Sequence, residues 1–181
     1  MEWIGNHRAF RKSRTRTISK REVGKGVSCD LFSLEELDTI ICNQYYLNLE
    51  LVGCTDYKIL NETERNYKFK TPSRSWWCDT TGDRKKSAQW HGDAWYRFLP
   101  PAGTRILEEA PGYQYCGTYG SGWMQGSHPT SLGETVTRTV CFQSLNNTCS
   151  WQSEIKVRNC GQIFLYRLVD TSNCHIGYCA K

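Results

Sequence analysis

The chain of 181 residues contains no run of about 18 apolar residues, so no stretch is written as a membrane-spanning helix. It also contains no C-x-x-C pair. The tightest cysteine spacings are Cys174 to Cys179 and Cys141 to Cys149. Structural zinc uses ligand pairs about 2–4 residues apart followed by a second such pair, and that pattern is missing. Ten cysteines, an even number, therefore read as disulfides, with no metal centre and no cofactor. Disulfides require an oxidising compartment, which places the protein outside the cytosol. Internal repeats and low-complexity tracts are absent, and 15 Gly and 5 Pro are too few for a collagen-like chain. The start, Met1-Glu2-Trp3-Ile4-Gly5, runs into basic residues without the apolar stretch of about 7–15 residues of a secretory signal. With so many cysteines, the expectation is a secreted protein whose sequence here is a fragment or lacks its true start.

What the chain has in quantity is aromatic side chains and an uneven charge. Seven Trp, ten Tyr and six Phe supply more large apolar surface than a disordered chain carries. The net charge of +5 is local: residues 1–28 hold eight Lys or Arg against Glu2 and Glu22. That segment is +6, and the rest of the chain sums to −1. A basic arm can bind acidic polymers by counterion release. No aromatic residue interleaves with the charges between Arg11 and Lys25, which disfavours nucleic acid as the partner. Residues 1–28 are read as a solvated, disordered tail, with acidic-polymer binding as the alternative.

Ser33-Leu34-Glu35-Glu36 has capping-box spacing, and Leu34, Leu37, Ile40 and Ile41 follow at helical intervals. A short helix is predicted over about 34–43, in an annex spanning 29–53, with Cys29 and Cys42 as a candidate pair. Residues 55–75 are polar and read as irregular or loosely extended. From Trp76 the pattern turns to β. Ala94–Leu99 is aromatic-rich and stops at Pro100-Pro101; Thr135–Phe142 and Ser153–Arg158 alternate; Ile163–Val169 reads as a central strand. Turn residues punctuate the joins at Pro111-Gly112, Gly120-Ser121-Gly122, His128-Pro129, Asn146-Asn147 and 170–173. The predicted fold is mainly β: a disulfide-stapled, antiparallel, sandwich-like domain with a short N-terminal helix.

A hairpin of 135–142 and 150–157 centred near Leu145 would set Cys141 opposite Cys149, within disulfide reach. Asn61-Glu62-Thr63 and Asn146-Asn147-Thr148 fit the N-glycosylation acceptor pattern, which makes Asn61 and Asn146 candidate glycan sites.

The cysteines and their neighbours form a longer series. It runs Trp77-Cys78-Asp79, Trp95-Tyr96-Arg97-Phe98, Cys116-Gly117-Thr118 and Trp123-Met124-Gln125-Gly126-Ser127-His128-Pro129. Cys149-Ser150-Trp151, Ile155-Lys156-Val157-Arg158-Asn159-Cys160-Gly161 and Tyr178-Cys179 complete it. The region 54–181 resembles the uromodulin-type eight-cysteine domain, with Cys54, Cys78, Cys116, Cys141, Cys149, Cys160, Cys174 and Cys179 as the eight cysteines. The resemblance implies an extracellular, non-catalytic module. Members of the family that carry two further cysteines have them where Ala110 and Thr148 stand here, as one lost disulfide would leave. The family's mannose-rich glycan, bait for bacterial fimbriae, has acceptor positions that are Gln125 and Arg167 here. That role would fall to Asn146 or Asn61. Neighbouring epidermal-growth-factor-like repeats and a zona pellucida domain accompany the module in polymerising members. Neither is written in this chain, so the chain alone is expected not to form filaments.

Little in the residues points to catalysis. His7, His91, His128 and His175 are the only histidines, and His128 before Pro129 is placed to bond locally. Gly120-Ser121-Gly122 lacks nucleophile-elbow spacing. Asp79, Asp83, Asp93, Glu108 and Glu109 supply carboxylates that a glycoside hydrolase would need in a pair. Trp76-Trp77 carries a different signal: successive residues of an extended chain point to opposite sides, so one ring is left for stacking on a partner. The reading is a secreted recognition module for an extracellular protein or glycan. A secreted hydrolase acting on glycans is the alternative.

Overall fold

The computed structural model describes residues 53–72 and 76–181. The tail 1–28, the helix over about 34–43 and the Cys29–Cys42 pair lie outside the described residues. Among the described residues seven strands form: β1 (Lys58–Leu60), β2 (Ala94–Phe98), β3 (Gly120–Met124), β4 (Thr135–Gln143), β5 (Trp151–Asn159), β6 (Phe164–Leu168) and β7 (Ile176–Tyr178). One turn of 3-10 helix covers Thr63–Arg65. No helix among the described residues is long and apolar enough to cross a membrane.

The strands make one sheet in the order β1-β2-β6-β5-β4-β3-β7. The centre is antiparallel, while the outer pairs β1/β2 and β3/β7 are parallel. This corrects the sandwich expectation. Among the described residues, irregular chain rather than a second sheet covers the larger apolar face. Trp90, Ala102, Ile106 and Ala180, none of them in a strand, share one core with Tyr96, Phe98, Val140, Phe142, Ile155, Val157 and Tyr166. The segments that supply these residues lack alternation, so they cannot build a second sheet.

Period-two patterning fixes the register. Tyr96, Tyr166, Val157 and Val136 pair in a row across β2, β6, β5 and β4, on the core face. The next row, Trp95, Arg167, Lys156 and Thr137, lies on the opposite face. Gly120-Ser121-Gly122, expected to be a join, is the start of β3. Glycine is needed there for close approach: a Cβ on Gly122 would lie 2.7 Å from the Gly177 carbonyl oxygen of β7.

Every cysteine among the described residues is paired. Cys54–Cys160, Cys78–Cys174 and Cys116–Cys179 close loops with sequence separations of 106, 96 and 63. Each long closure removes about 4–5 kcal/mol of unfolded-chain entropy in the loop model. Cys141 joins Cys149, with Cα atoms 4.7 Å apart, though not by the opposed register expected. Cys141 faces Gln152 and Phe142 faces Trp151. The Ser144 amide donates to the Asn147 carbonyl and the Ser150 amide to that of Phe142, which moves the hairpin centre past Leu145. Cys149 therefore bridges back from the turn.

Among the buried polar residues, one ion pair stands out. Arg65, in the 3-10 turn, and Asp79 have fully buried side chains. The guanidinium donates twice to the carboxylate, Nη1 to Oδ2 at 2.9 Å and Nη2 to Oδ1 at 2.7 Å. It also donates to Glu62 Oε2 (2.5 Å), Ser87 Oγ (2.9 Å) and the Tyr178 carbonyl (3.3 Å). The Tyr178 amide donates to Asp79 Oδ2 at 2.9 Å. Burial works against the charge on Arg65, and Asp79 and Glu62 more than offset it, so its pKa lies above the ordinary value. Burial pushes the Asp79 carboxyl up, with Arg65 and the Tyr178 amide opposing.

Removing one member of a buried pair strands the other. Asp79→Asn is expected to lower stability by about 3–5 kcal/mol, and Arg65→Met with Asp79→Leu to restore most of that loss. Urea denaturation of the oxidised proteins measures both. Equal losses in the single and double variants would show that packing alone matters at this position.

Candidate recognition site

The segment Trp76-Trp77-Cys78-Asp79 runs beside β7. The Trp77 amide donates to the Gly117 carbonyl at 3.2 Å and the Asp79 amide to that of Ile176 at 3.3 Å. In this extended segment Trp77 turns inward, with the Arg65 guanidinium 4.3 Å over its ring centroid. Gly117, at φ +71°, is obligatory beside it, because a Cβ would overlap the Trp77 indole nitrogen. Asp79 also points inward, to Arg65. Trp76 lies on the other side of the segment, against Tyr119 and His175.

Trp76 forms one wall of a cavity of about 260 Å³, with Tyr119, Trp151, Asn173, His175 and Ile176 among the residues around it. Its ring meets Tyr119 edge-on at 5.3 Å and His175 at 5.4 Å, while Tyr119 and Trp151 lie 6.5 Å apart. Tyr113 supports Tyr119 from behind at 5.0 Å. The Cys78–Cys174 disulfide ties the Trp76 segment to the loop that carries His175. The His175 carbonyl accepts from the amides of Tyr119 (2.8 Å) and Gly120 (3.0 Å). His175 has φ +79°, a conformation costly for a non-glycine residue and typical of constrained functional loops.

Two polar atoms here are shielded from solvent without a hydrogen-bond partner: Trp76 Nε1 and His175 Nδ1. Buried polar atoms are nearly always bonded, and leaving one unbonded costs about 1–3 kcal/mol. The cleft thus keeps an unused donor and an unused ring nitrogen behind its aromatic walls. Sequence reasoning named Trp76 but missed Tyr119 and the part His175 plays. The missing signal was the Cys78–Cys174 connectivity, which joins the two segments and cannot be deduced from cysteine spacing.

The other predicted residues lie elsewhere. Asn146 is exposed on the turn between β4 and β5. Asn61 is half-buried, exchanging hydrogen bonds with Gln89: its amide donates to Gln89 Oε1 at 2.7 Å, and Gln89 Nε2 donates to its Oδ1 at 2.5 Å. The carboxylates do not converge. Asp79 is held by Arg65, Asp93 by Arg167 and Glu108 by His128. Cys78, Asp83 and Cys174 approach one another closely enough to hold a cation, but both sulfurs are in one disulfide and offer no thiolate. His128 is bonded at both nitrogens, not locally but to residues 20 and 38 positions away. Nδ1–H donates to Glu108 Oε1 at 2.5 Å and Nε2 accepts from the Tyr166 hydroxyl at 2.7 Å.

These features define a class: a disulfide-stapled β domain with an aromatic surface cleft. Residues 96–180 match the family model for the uromodulin-like eight-cysteine domain. The chain is 31% identical over 130 residues to the pancreatic secretory granule membrane major glycoprotein GP2 of Rattus norvegicus, covering 70% of this chain and 22% of that protein. It is 34% identical over 127 residues to the GP2 of Canis lupus familiaris (70% and 23%) and 32% identical over 127 residues to uromodulin of Mus musculus (70% and 18%). The chain thus carries an extracellular, uromodulin-like eight-cysteine domain. It spans about a fifth of the length of these curated relatives.

Two outcomes follow from the residues outside the cleft. Burial holds the His128 pKa below its ordinary value against the pull of Glu108. The Glu108 carboxyl lies below its own, chiefly because His128 donates to it. The unfolded chain therefore takes up protons more readily than the folded one, and stability falls with pH. The His128 contribution is present above about pH 6.5 and is lost below it; the Glu108 contribution follows at lower pH. Thermal unfolding from pH 7.5 to 5 is expected to show this decline, and His128→Gln to flatten its upper part. In a eukaryotic secretory host, Asn146→Gln is expected to remove a glycan on endoglycosidase gel-shift analysis, and Asn61→Gln a smaller fraction of one.

Proposed function

We propose that this domain, spanning 54–181, is a non-catalytic recognition module that binds an extracellular carbohydrate at the Trp76 cleft. The observation that carries the reading is the aromatic lining of the cleft, where Trp76, Tyr119 and Trp151 stand around one opening tied by the Cys78–Cys174 bridge. Sugar rings offer C–H faces to aromatic rings and hydroxyls that both donate and accept. The Cys54–Cys160 bridge, which ties the first residues of the span to the end of β5, supports counting Cys54 as part of it. The second reading, an extracellular protein as ligand, needs the same cleft to admit a side chain. Asp79, Asp93 and Glu108 are each held in a separate ion pair, which favours recognition over the hydrolase alternative.

A glycan array followed by tryptophan-fluorescence titration tests this. The oxidised protein is expected to quench on binding, and Trp76→Ala to weaken affinity at least about tenfold, equivalent to about 1.4 kcal/mol. Its unfolding transition should change little, since Trp76 is only half-buried. Substrate turnover abolished by a single carboxylate substitution would contradict the reading, as would array binding that is indifferent to Trp76.

A further inference from the structure

The sheet face opposite the core is built differently from the cleft. Arg97, Lys156, Arg158 and Arg167 project from three neighbouring strands, with Trp95 and Tyr57 among them. Lys156 and Arg167 are direct cross-strand partners. Like charges directly opposite one another destabilise a sheet, and Asp93 offsets this only at Arg167. Two of the guanidiniums lie over rings, Arg97 over Tyr57 at 5.8 Å and Arg158 over Trp95 at 5.4 Å. Arg158 also donates to Thr135 Oγ1 at 2.8 Å, and Arg97 to the Tyr57 hydroxyl at 3.1 Å. These contacts hold the planar groups in place before any ligand arrives. Asp93 pairs with Arg167, with the two side chains 51% and 48% exposed, and Glu154 is the acid on the exposed side of β5. At one end the face runs into a cleft of about 90 Å³ lined by Arg97, Thr104 and Arg105.

We propose that this face binds a sulfated polysaccharide, an extended polyanion of the extracellular space. Charge complementarity selects an anion, and guanidiniums match sulfate oxygens bidentately. A sheet face offers side chains only, because its backbone groups are spent on neighbouring strands. An acidic peptide would take an edge strand, where main-chain bonds are available. A polysaccharide needs no main-chain partner. The extracellular setting of the domain excludes nucleic acid as the ordinary ligand. This site is separate from the Trp76 cleft and stands whether or not that cleft binds a neutral sugar.

The test uses the full chain and heparin fragments of defined length, with binding measured by calorimetry across a salt series. Four proteins are compared: the native chain; Lys156→Gln with Arg167→Gln; Asp93→Asn; and a tail variant with Arg11, Lys12, Arg14 and Arg16 changed to Gln. The double face variant is expected to bind about fivefold more weakly and to flatten the log–log salt slope by about 1–1.5, since each lost ionic contact removes about 0.7. Asp93→Asn removes a competing carboxylate and is expected to bind two- to threefold more tightly than native, about 0.4–0.7 kcal/mol, a gain that misfolding cannot imitate. Unsulfated fragments of equal length are expected not to bind. The proposal is overturned if native protein ignores heparin, or if only the tail variant loses binding. Polyglutamate bound as tightly as heparin would overturn the polysaccharide assignment in favour of an acidic polypeptide.

Discussion

A guanidinium taken fully out of water loses several kcal/mol of hydration, and only close, directed bonds return it. Arg65 meets that condition with five acceptors drawn from Glu62, Asp79, Ser87 and Tyr178. Those residues are far apart in the chain. The 3-10 turn, the Trp76–Asp79 segment, the loop at Ser87 and the last strand are thereby fixed to one point. A hydrophobic contact at the same place would not set directions. The bidentate pair does, and the Tyr178 amide on Asp79 extends it into β7. Trp77 closes the arrangement by lying against the guanidinium, which leaves Trp76 on the outer side.

The disulfides divide the remaining work. Cys54–Cys160 and Cys116–Cys179 pin irregular chain to the ends of the sheet, which has no second sheet to cover it. Cys78–Cys174 builds the cleft directly, since Trp76 and His175 lie within two residues of its ends. Cys141–Cys149 is local and staples a turn. The domain thus exposes two kinds of surface: an aromatic cleft at the edge near β7, and a cationic sheet face over β2, β6 and β5.

The strands were legible where side chains alternate. β4 and β5 extend the predicted segments by only one or two residues, because Val136, Val140, Phe142, Ile155 and Val157 mark the buried side unambiguously. β3 was not legible: its glycines read as a turn, and their purpose is contact with β7, a partner more than 50 residues away in sequence. The sandwich expectation failed for a related reason, since strand pattern does not reveal whether a sheet is covered by strands or by coil. The Cys141–Cys149 pair was reachable from spacing, although the register assumed for it was off by the residues of the turn. The cleft was only half legible. Alternation makes one of Trp76 and Trp77 face outward, but which one depends on Arg65, and the partnership of Arg65 with Asp79 has no short-range signature.

If Arg65–Asp79 is the point on which the cleft is hung, its loss should be felt regionally before it is felt globally. Hydrogen–deuterium exchange on Asp79→Asn, under conditions where the protein remains folded, measures this directly. The account predicts that amides of Trp77, Asp79, Tyr178 and Ala180 lose protection while those of β4 and β5 keep theirs. Uniform loss across the sheet, or unchanged protection along β7 and the Trp76–Asp79 segment, would contradict it.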